Sequence, residues 1–297
     1  MTTATMAITA GVNLFGIVYT GLRINLSKAA SPPVYFFVAV LVSAVLSLIR
    51  RYSTKHLFEP LGRAVIRPTE KGYEAKISKF GTCAFKTIFF LTICVFEYSI
   101  LTRQDFTPSW LFGSGTTAKL WTDGYDMPVD LITVFMVSLG YHLHSTIYHC
   151  FFVERRGDFG EMLLHHTLTL WLMVLSYIDG YSRIGLLIVF LNDVPDIFVY
   201  LTKSLGDTIF FKSSIAAYVG LLLSYGYFRL VVFPVSLLPS LLYESNFSPI
   251  GRYLYIGFLC CLTLLHAHWF ILLVRIGVNL ATTGSRRDIT VERQKQT

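Results

Sequence analysis

Residues 164–203 read LHHTLTLWLMVLSYIDGYSRIGLLIVFLNDVPDIFVYLTK. The stretch holds two apolar runs, each close to the roughly 20 residues a helix needs to cross a bilayer. Polar groups interrupt both. His165 and His166 stand near the start of the first run, and Asp193 and Asp196 lie well inside the second. A carboxylate at the bilayer centre costs about 2.5–3.5 kcal/mol on insertion scales, so these groups are expected to face protein or a wet cavity and not lipid. Asp193 and Asp196 are three apart and share a helix face. Asn192, Asp196 and Lys203 extend that stripe at i, i+4 and i+11. Adjacent histidines diverge by about 100° around a helix. One of them at most faces a chamber centre, and the other orients it or bonds a neighbouring helix.

The whole chain supports the membrane reading. Of its 297 residues 54% are hydrophobic and 14% charged, against about 25% charged in soluble domains. The pattern predicts an all-α integral membrane protein with seven spans, near 32–49, 80–102, 129–152, 160–178, 184–203, 215–240 and 250–278. Residues 5–22 are apolar but interrupted by Gly, Asn and Thr, and suit a short interfacial helix. Five cysteines fall inside apolar segments with no metal or disulfide spacing. The net charge of +7 belongs to loops of the positive-inside kind and not to a nucleic-acid surface.

Basic residues favour every second loop. Arg50, Arg51, Lys55, Arg63, Arg67, Lys71, Lys76 and Lys79 follow span one, whereas the next loop offers Arg103 and Lys119. Arg155 and Arg156 come after span three, and Arg286, Arg287, Arg293 and Lys295 lie in the tail. The N-terminus is therefore expected in the lumen and the C-terminus in the cytosol. Helical rise then places His165 and His166 roughly 8–9 Å below the cytosolic end of span four. Asp196 and Asp193 fall at about 10 and 15 Å. His142, His144 and His149 of span three, with His266 and His268 of span seven, reach a similar depth. The expectation is a shared polar chamber opening to the cytosol.

Other assignments compete for the same residues. Asp193 and Asp196 could be ion-pair partners of Arg229 or Lys203, with Glu97 and Arg229 purely structural. A di-metal centre needs several histidine boxes at three- or four-residue spacing. The pairs here are His142–His144, His165–His166 and His266–His268, so no metal is expected. A transporter using the Asp stripe as a proton relay would be expected to carry inverted repeats, and none is visible.

The quoted stretch resembles the signature of the ceramide synthases, the longevity-assurance branch of the TLC-domain proteins. The matching positions are His165, His166, Ser176, Tyr177, Arg183, Ile184, Gly185, Asp193, Asp196 and Lys203. Flanking pieces are similar too: ISKFGTCAFKTIFF (77–90), ERRGDFGEMLLHH (154–166), FRLVVFP (228–234) and LLHAHWFILLVRI (264–276). The resemblance implies a lumenal or interfacial segment (1–31), a first helix with a basic loop (32–79), a TLC domain of six helices ringing a polar chamber (80–278) and a cytosolic tail (279–297). It implies the endoplasmic reticulum membrane, and transfer of a fatty acyl group from acyl-CoA to a long-chain sphingoid base, with no cofactor besides that substrate. Its catalytic centre maps to His165, His166, Asp193 and Asp196. Asn192, Arg183, His144, His266, Trp269, Arg155, Arg156 and Lys203 are the candidates for holding substrate, the two adjacent arginines through CoA phosphates. A homodimer, or a heterodimer with another ceramide synthase, is consistent with the resemblance. In the family the loop between the last two spans, here about 241–251, influences chain length.

The chain departs from that pattern in three places. Asn192 stands where the family has His, Pro195 where it has Ser or Ala, and no Glu lies near Tyr200. Asn hydrogen-bonds but cannot carry a proton near neutral pH. Pro195 removes a backbone donor and should kink span five. The alternative to an enzyme is therefore a silent TLC protein that binds lipid or regulates an active synthase.

Overall fold

The computed structural model describes residues 5–6, 8–14, 16–17, 34–121, 128–153, 157–245 and 249–283. Helices α1 (Val34–Ser53) and α2 (Glu59–Val65) join through one π-helical turn, Thr54–Phe58. Then come α3 (Tyr73–Leu101), α4 (Val129–Phe152), α5 (Phe159–Ile178), α6 (Ser182–Leu205) and α7 (Phe211–Tyr225). A π-helical stretch, Gly226–Leu237, carries α7 into α8 (Leu238–Tyr243), and α9 (Pro249–Thr283) closes the described chain. Among the described residues the only extended pairing is an isolated bridge between Pro108 and Gly115.

Five of the predicted spans are helices long and apolar enough to cross a membrane: Tyr35–Val65, Tyr73–Leu101, Ser182–Leu205, Phe211–Tyr243 and Gly251–Thr283. The other two expected spans, α4 and α5, are helices of 24 and 20 residues. They lack the apolarity of the five because they carry His142, His144, His149, His165 and His166. The expected interfacial segment is helical at residues 5–6, 8–14 and 16–17. It leans on α5, where Trp171 Nε1 donates to Asn13 Oδ1 at 3.0 Å.

Outward faces are apolar, as a lipid-facing surface requires. Phe37 is 74% and Leu48 71% exposed on α1. Inside, α6 is the central strut and packs against α3 on one side and α7 on the other, while α1 covers α4 and α4 covers α5.

The turn between α5 and α6 fixes the site. Gly180 has φ of 80°, a left-handed conformation that favours glycine. Gly180 N–H bonds Tyr177 O at 3.2 Å and Tyr181 N–H bonds Ser176 O at 2.7 Å, a helix-ending turn that satisfies the last carbonyls of α5. Tyr255 of α9 donates to Asp179 Oδ2 at 2.9 Å and pins the turn. One turn into α6, a Cβ on Gly185 would stand 2.5 Å from Ser176 Oγ, so glycine is what lets the two helices approach there. Pro195, expected to kink this span, lies inside α6, which runs from Ser182 to Leu205.

Candidate active site

A cavity of about 680 Å³ of empty space, counting its open mouth, runs between α5, α6 and α9. At one end it is polar, lined by His142 of α4, His165 and Thr169 of α5, Asn192, Asp193 and Asp196 of α6, and Arg229 of the π-helical stretch. Apolar walls of Leu172, Met173, Ile184, Ile188, Val189 and Leu259 continue from there, and Trp121, Tyr181, Leu241 and Tyr255 line the far end. Along α6 the distance from Asp196 to Ile184 is about 18 Å by helical rise.

Helical phase decides which histidine looks where. His142 and His144 are two residues apart, about 200° around the helix. His142 points to α6, its Nε2 3.7 Å from Asp193 Oδ1, too long for a hydrogen bond but within reach of an ion pair. His144 points the other way, and its Nδ1 lies 2.7 Å from Ser47 Oγ on α1. His149 returns to the His142 face two turns on. Its Nε2 meets Phe159 O at 3.0 Å.

The His165–His166 pair splits as its geometry requires. His165 faces the cavity and α9, with ring centres 5.2 Å from Trp269 and 5.9 Å from His266. His166 turns towards α4, 5.3 Å from His149. His166 does not line the cavity among the described residues. Trp269 Nε1 donates to Glu161 Oε2 at 3.2 Å, and His268 Nε2 lies 3.5 Å from the same oxygen. This clasp ties α9 to α5 one turn before His165.

Asp193 and Asp196 share a face of α6 but have different partners. Arg229, 4% exposed, donates through Nη2 to Asp196 Oδ1 at 2.7 Å and to the Asn192 carbonyl. Its guanidinium lies 4.7 Å over the Tyr225 ring. The ion-pair assignment of Asp196 to Arg229 is therefore present, and Lys203 is not its partner. Lys203 is exposed, 5.9 Å from the Tyr200 ring. Neither carboxylate hydrogen-bonds His165 or His166; helix phase brings His142 of α4 to Asp193 instead. Asn192 donates Nδ2 to Ile188 O at 2.8 Å, leaving its Oδ1 on the cavity.

Buried polar atoms without a hydrogen-bond partner gather around this end. Among the described residues they include His165 Nδ1, His142 Nε2, Asp193 Oδ1, Asn192 Oδ1, Thr169 Oγ1, Arg229 Nε and both ring nitrogens of His266. Buried polar atoms are nearly always satisfied, so this concentration marks a place that takes a polar ligand or water.

The remaining expected site residues lie apart. Arg183 starts α6 at the opposite end, 5.7 Å from the Phe106 ring, and His144 belongs to the α1–α4 seam. Both are thus separate from the His165 centre, because α6 carries Arg183 13 residues from Asp196 and α4 turns His144 outward. Arg155 and Arg156 lie outside the described residues. His142 and Arg229, which the sequence left as a depth marker and a structural cation, are the additions. Only the three-dimensional phase of α4 and of the π-helical stretch singles them out.

A family model described as the TLC domain, of the TRAM, LAG1 and CLN8 group, matches residues 79–275. The ASC1-like protein 1 of Oryza sativa subsp. japonica is 30% identical over 283 residues, 89% of this chain and 91% of that protein. Ceramide synthase 1 LOH3 of Arabidopsis thaliana is 28% identical over 84% of this chain and 87% of its own length. Ceramide synthase 1 of Homo sapiens is 29% identical over 79% and 68%. The chain belongs to the TLC-domain family and is related to its ceramide synthases over most of its length.

Proposed function

We propose that the protein is an acyl-CoA-dependent N-acyltransferase that makes ceramide or dihydroceramide in the endoplasmic reticulum membrane. Of seven spans, six then ring the chamber, with the N-terminus in the lumen and the site open to the cytosol. The observation that carries this reading is the cluster of unpartnered imidazole and carboxylate atoms at the head of a long apolar slot. Two hydrocarbon substrates need such walls, and an aminolysis needs such a head.

The reaction joins the sphingoid nitrogen to the thioester carbonyl carbon. The C–S bond breaks, and the amine proton leaves with the thiolate as CoA–SH. His165 is the base that takes that proton, since a neutral imidazole carries a free nitrogen lone pair that accepts one. Asp193 with His142 holds the cationic headgroup before attack or balances the imidazolium after it, as a carboxylate does in a triad. Asp196 and Asn192, fixed by Arg229, form the opposite wall. His166 is a positioning residue that keeps α5 against α4 through His149.

The test is direct. Membranes bearing the chain should form acyl-CoA-dependent ceramide, and His165→Ala, Asp193→Asn and Asp196→Asn should each remove it. Undiminished activity in all three would discard this site. A silent regulator is the rival reading, favoured by Asn192, whose amide is occupied with Ile188 O. It requires no turnover by the purified chain and co-purification with an active synthase.

A further inference from the structure

A second polar group lies at the seam of α1, α3, α4 and α6, with Tyr200 one helical turn beyond Asp196. Arg50, in the last turn of α1, is 7% exposed, and its guanidinium carbon stands 3.4 Å from the centre of the Tyr148 ring. Lys86 of α3 donates to the Tyr200 hydroxyl at 3.2 Å and lies 4.6 Å from that ring. Lys203 approaches the same ring at 5.9 Å. Gly81 of α3 lies against Thr54 just past α1, where a Cβ would stand 3.0 Å from the Thr54 methyl, and counting inward along the two antiparallel helices sets Lys86 level with Arg50.

Among the described residues no carboxylate forms an ion pair with Arg50, Lys86 or Lys203, and none accepts a hydrogen bond from the Arg50 guanidinium. This contrasts with Arg229, which has Asp196. Aromatic faces attract a cation but leave its charge and its N–H donors uncompensated. Buried charges are otherwise paired. A planar guanidinium fork beside an ammonium is the donor set that suits phosphate oxygens, and basic pockets between helices near a membrane surface take lipid headgroups.

We propose that Arg50 and Lys86, walled by Tyr148 and Tyr200, form a binding site for a phosphate group, distinct from the acyl-transfer cavity. The group arrives on a phospholipid of the surrounding leaflet or as soluble phosphate. The site is read without measuring acyl transfer.

The full chain is placed in nanodiscs of zwitterionic lipid, with or without phosphatidic acid, and retained lipid is counted by native mass spectrometry. A parallel arm without phosphatidic acid follows Tm against added inorganic phosphate. Retained phosphatidic acid should fall at least ten-fold in R50Q/K86Q. It should stay within two-fold of wild type in K86R, which keeps the charge, and in R51Q/K55Q, which removes two exposed charges. A phosphate-dependent rise in Tm that R50Q/K86Q abolishes, without a lipid adduct, makes the source soluble. No response of the wild type to either probe, or responses unchanged in R50Q/K86Q, overturns the site.

Discussion

Asp196 Oδ1 and Arg229 Nη2 meet at 2.7 Å between α6 and the π-helical stretch after α7. Arg229 is almost wholly enclosed, and its second hydrogen bond goes to the Asn192 carbonyl four residues before Asp196. The contact thus locks the α6 turn that carries Asn192, Asp193 and Asp196, the three polar residues α6 gives to that end of the cavity. Removing one member strands a buried charge, at a cost of about 3–5 kcal/mol. Asp196→Leu and Arg229→Met should each lower Tm strongly, whereas the double change should lose much less than their sum. A double-mutant cycle with additive losses would show that the pair is not coupled.

The two α4 histidines should separate in function. His142→Ala removes the partner of Asp193 at the cavity and should reduce acyl transfer about 10–100-fold, as the loss of a charge-assisted contact worth about 1.5–3 kcal/mol would. His144→Ala breaks the bond to Ser47 on α1 and the ring contacts with Tyr141 and Tyr148, away from the cavity lining, and should leave the rate within about three-fold of wild type, under about 0.7 kcal/mol on a scale of about 1.4 kcal/mol per decade. Initial rates with one acyl-CoA decide this, and equal losses in both variants would mean the two histidines work as one unit.

Gly185 sets how closely α5 and α6 approach. Its replacement by Ala puts a methyl 2.5 Å from Ser176 Oγ and 2.9 Å from Phe135 Cε2, which should destabilise by about 1–3 kcal/mol through overpacking. Ser176→Gly in the same chain should recover part of that loss. Thermal unfolding of the single and double variants measures it.

Asp207 supplies a pH signature outside the membrane. Lys79 lies 3.1 Å and Lys76 3.5 Å from its carboxylate, and the same loop docks through Ile209 N–H to Val65 O at 3.0 Å. Burial opposes the charge, but the two lysines outweigh it and hold the carboxyl below its ordinary value. A depressed carboxyl stabilises fully above its unfolded pKa, about 3.9, and the effect is lost as pH falls through the folded value. Asp207→Asn should therefore lower Tm at pH 7. That difference should shrink as pH drops below about 4. A difference that persists unchanged into strong acid would assign Asp207 a role other than charge.

Trp121 lines the far end of the slot and donates from Nε1 to Ser240 Oγ at 2.5 Å, one residue before Leu241. Leu241 opens the segment that resemblance links to chain length. Trp121→Ala should lengthen the slot and shift the product profile to longer acyl chains, whereas Trp121→Phe should keep it near wild type. Product lipidomics with a series of acyl-CoA lengths reads the shift.

Helix positions were legible because long apolar runs between basic loops leave little choice of register. The convergence of His165 with Asp193 and Asp196 was legible as well, since each is too polar to face lipid. Phase between helices was not. His142 and His144 are equivalent on paper, and only the packing of α4 between α1 and α5 assigns them to different neighbours. Arg229 reads as a structural cation until the π-helical stretch aims it at Asp196. Nothing in the sequence marks Arg50 and Lys86 as a pair, because they lie on helices joined through a long basic loop.

The most direct test is to purify the chain alone, supply a sphingoid base and a fatty acyl-CoA, and identify the lipid product by mass spectrometry for wild type and His165→Ala. The account predicts one new N-acylated sphingoid lipid for each CoA released in the wild type, and neither product from the variant at equal folded protein. A wild-type chain that makes no such lipid by itself, or a variant that makes it as fast, contradicts the account.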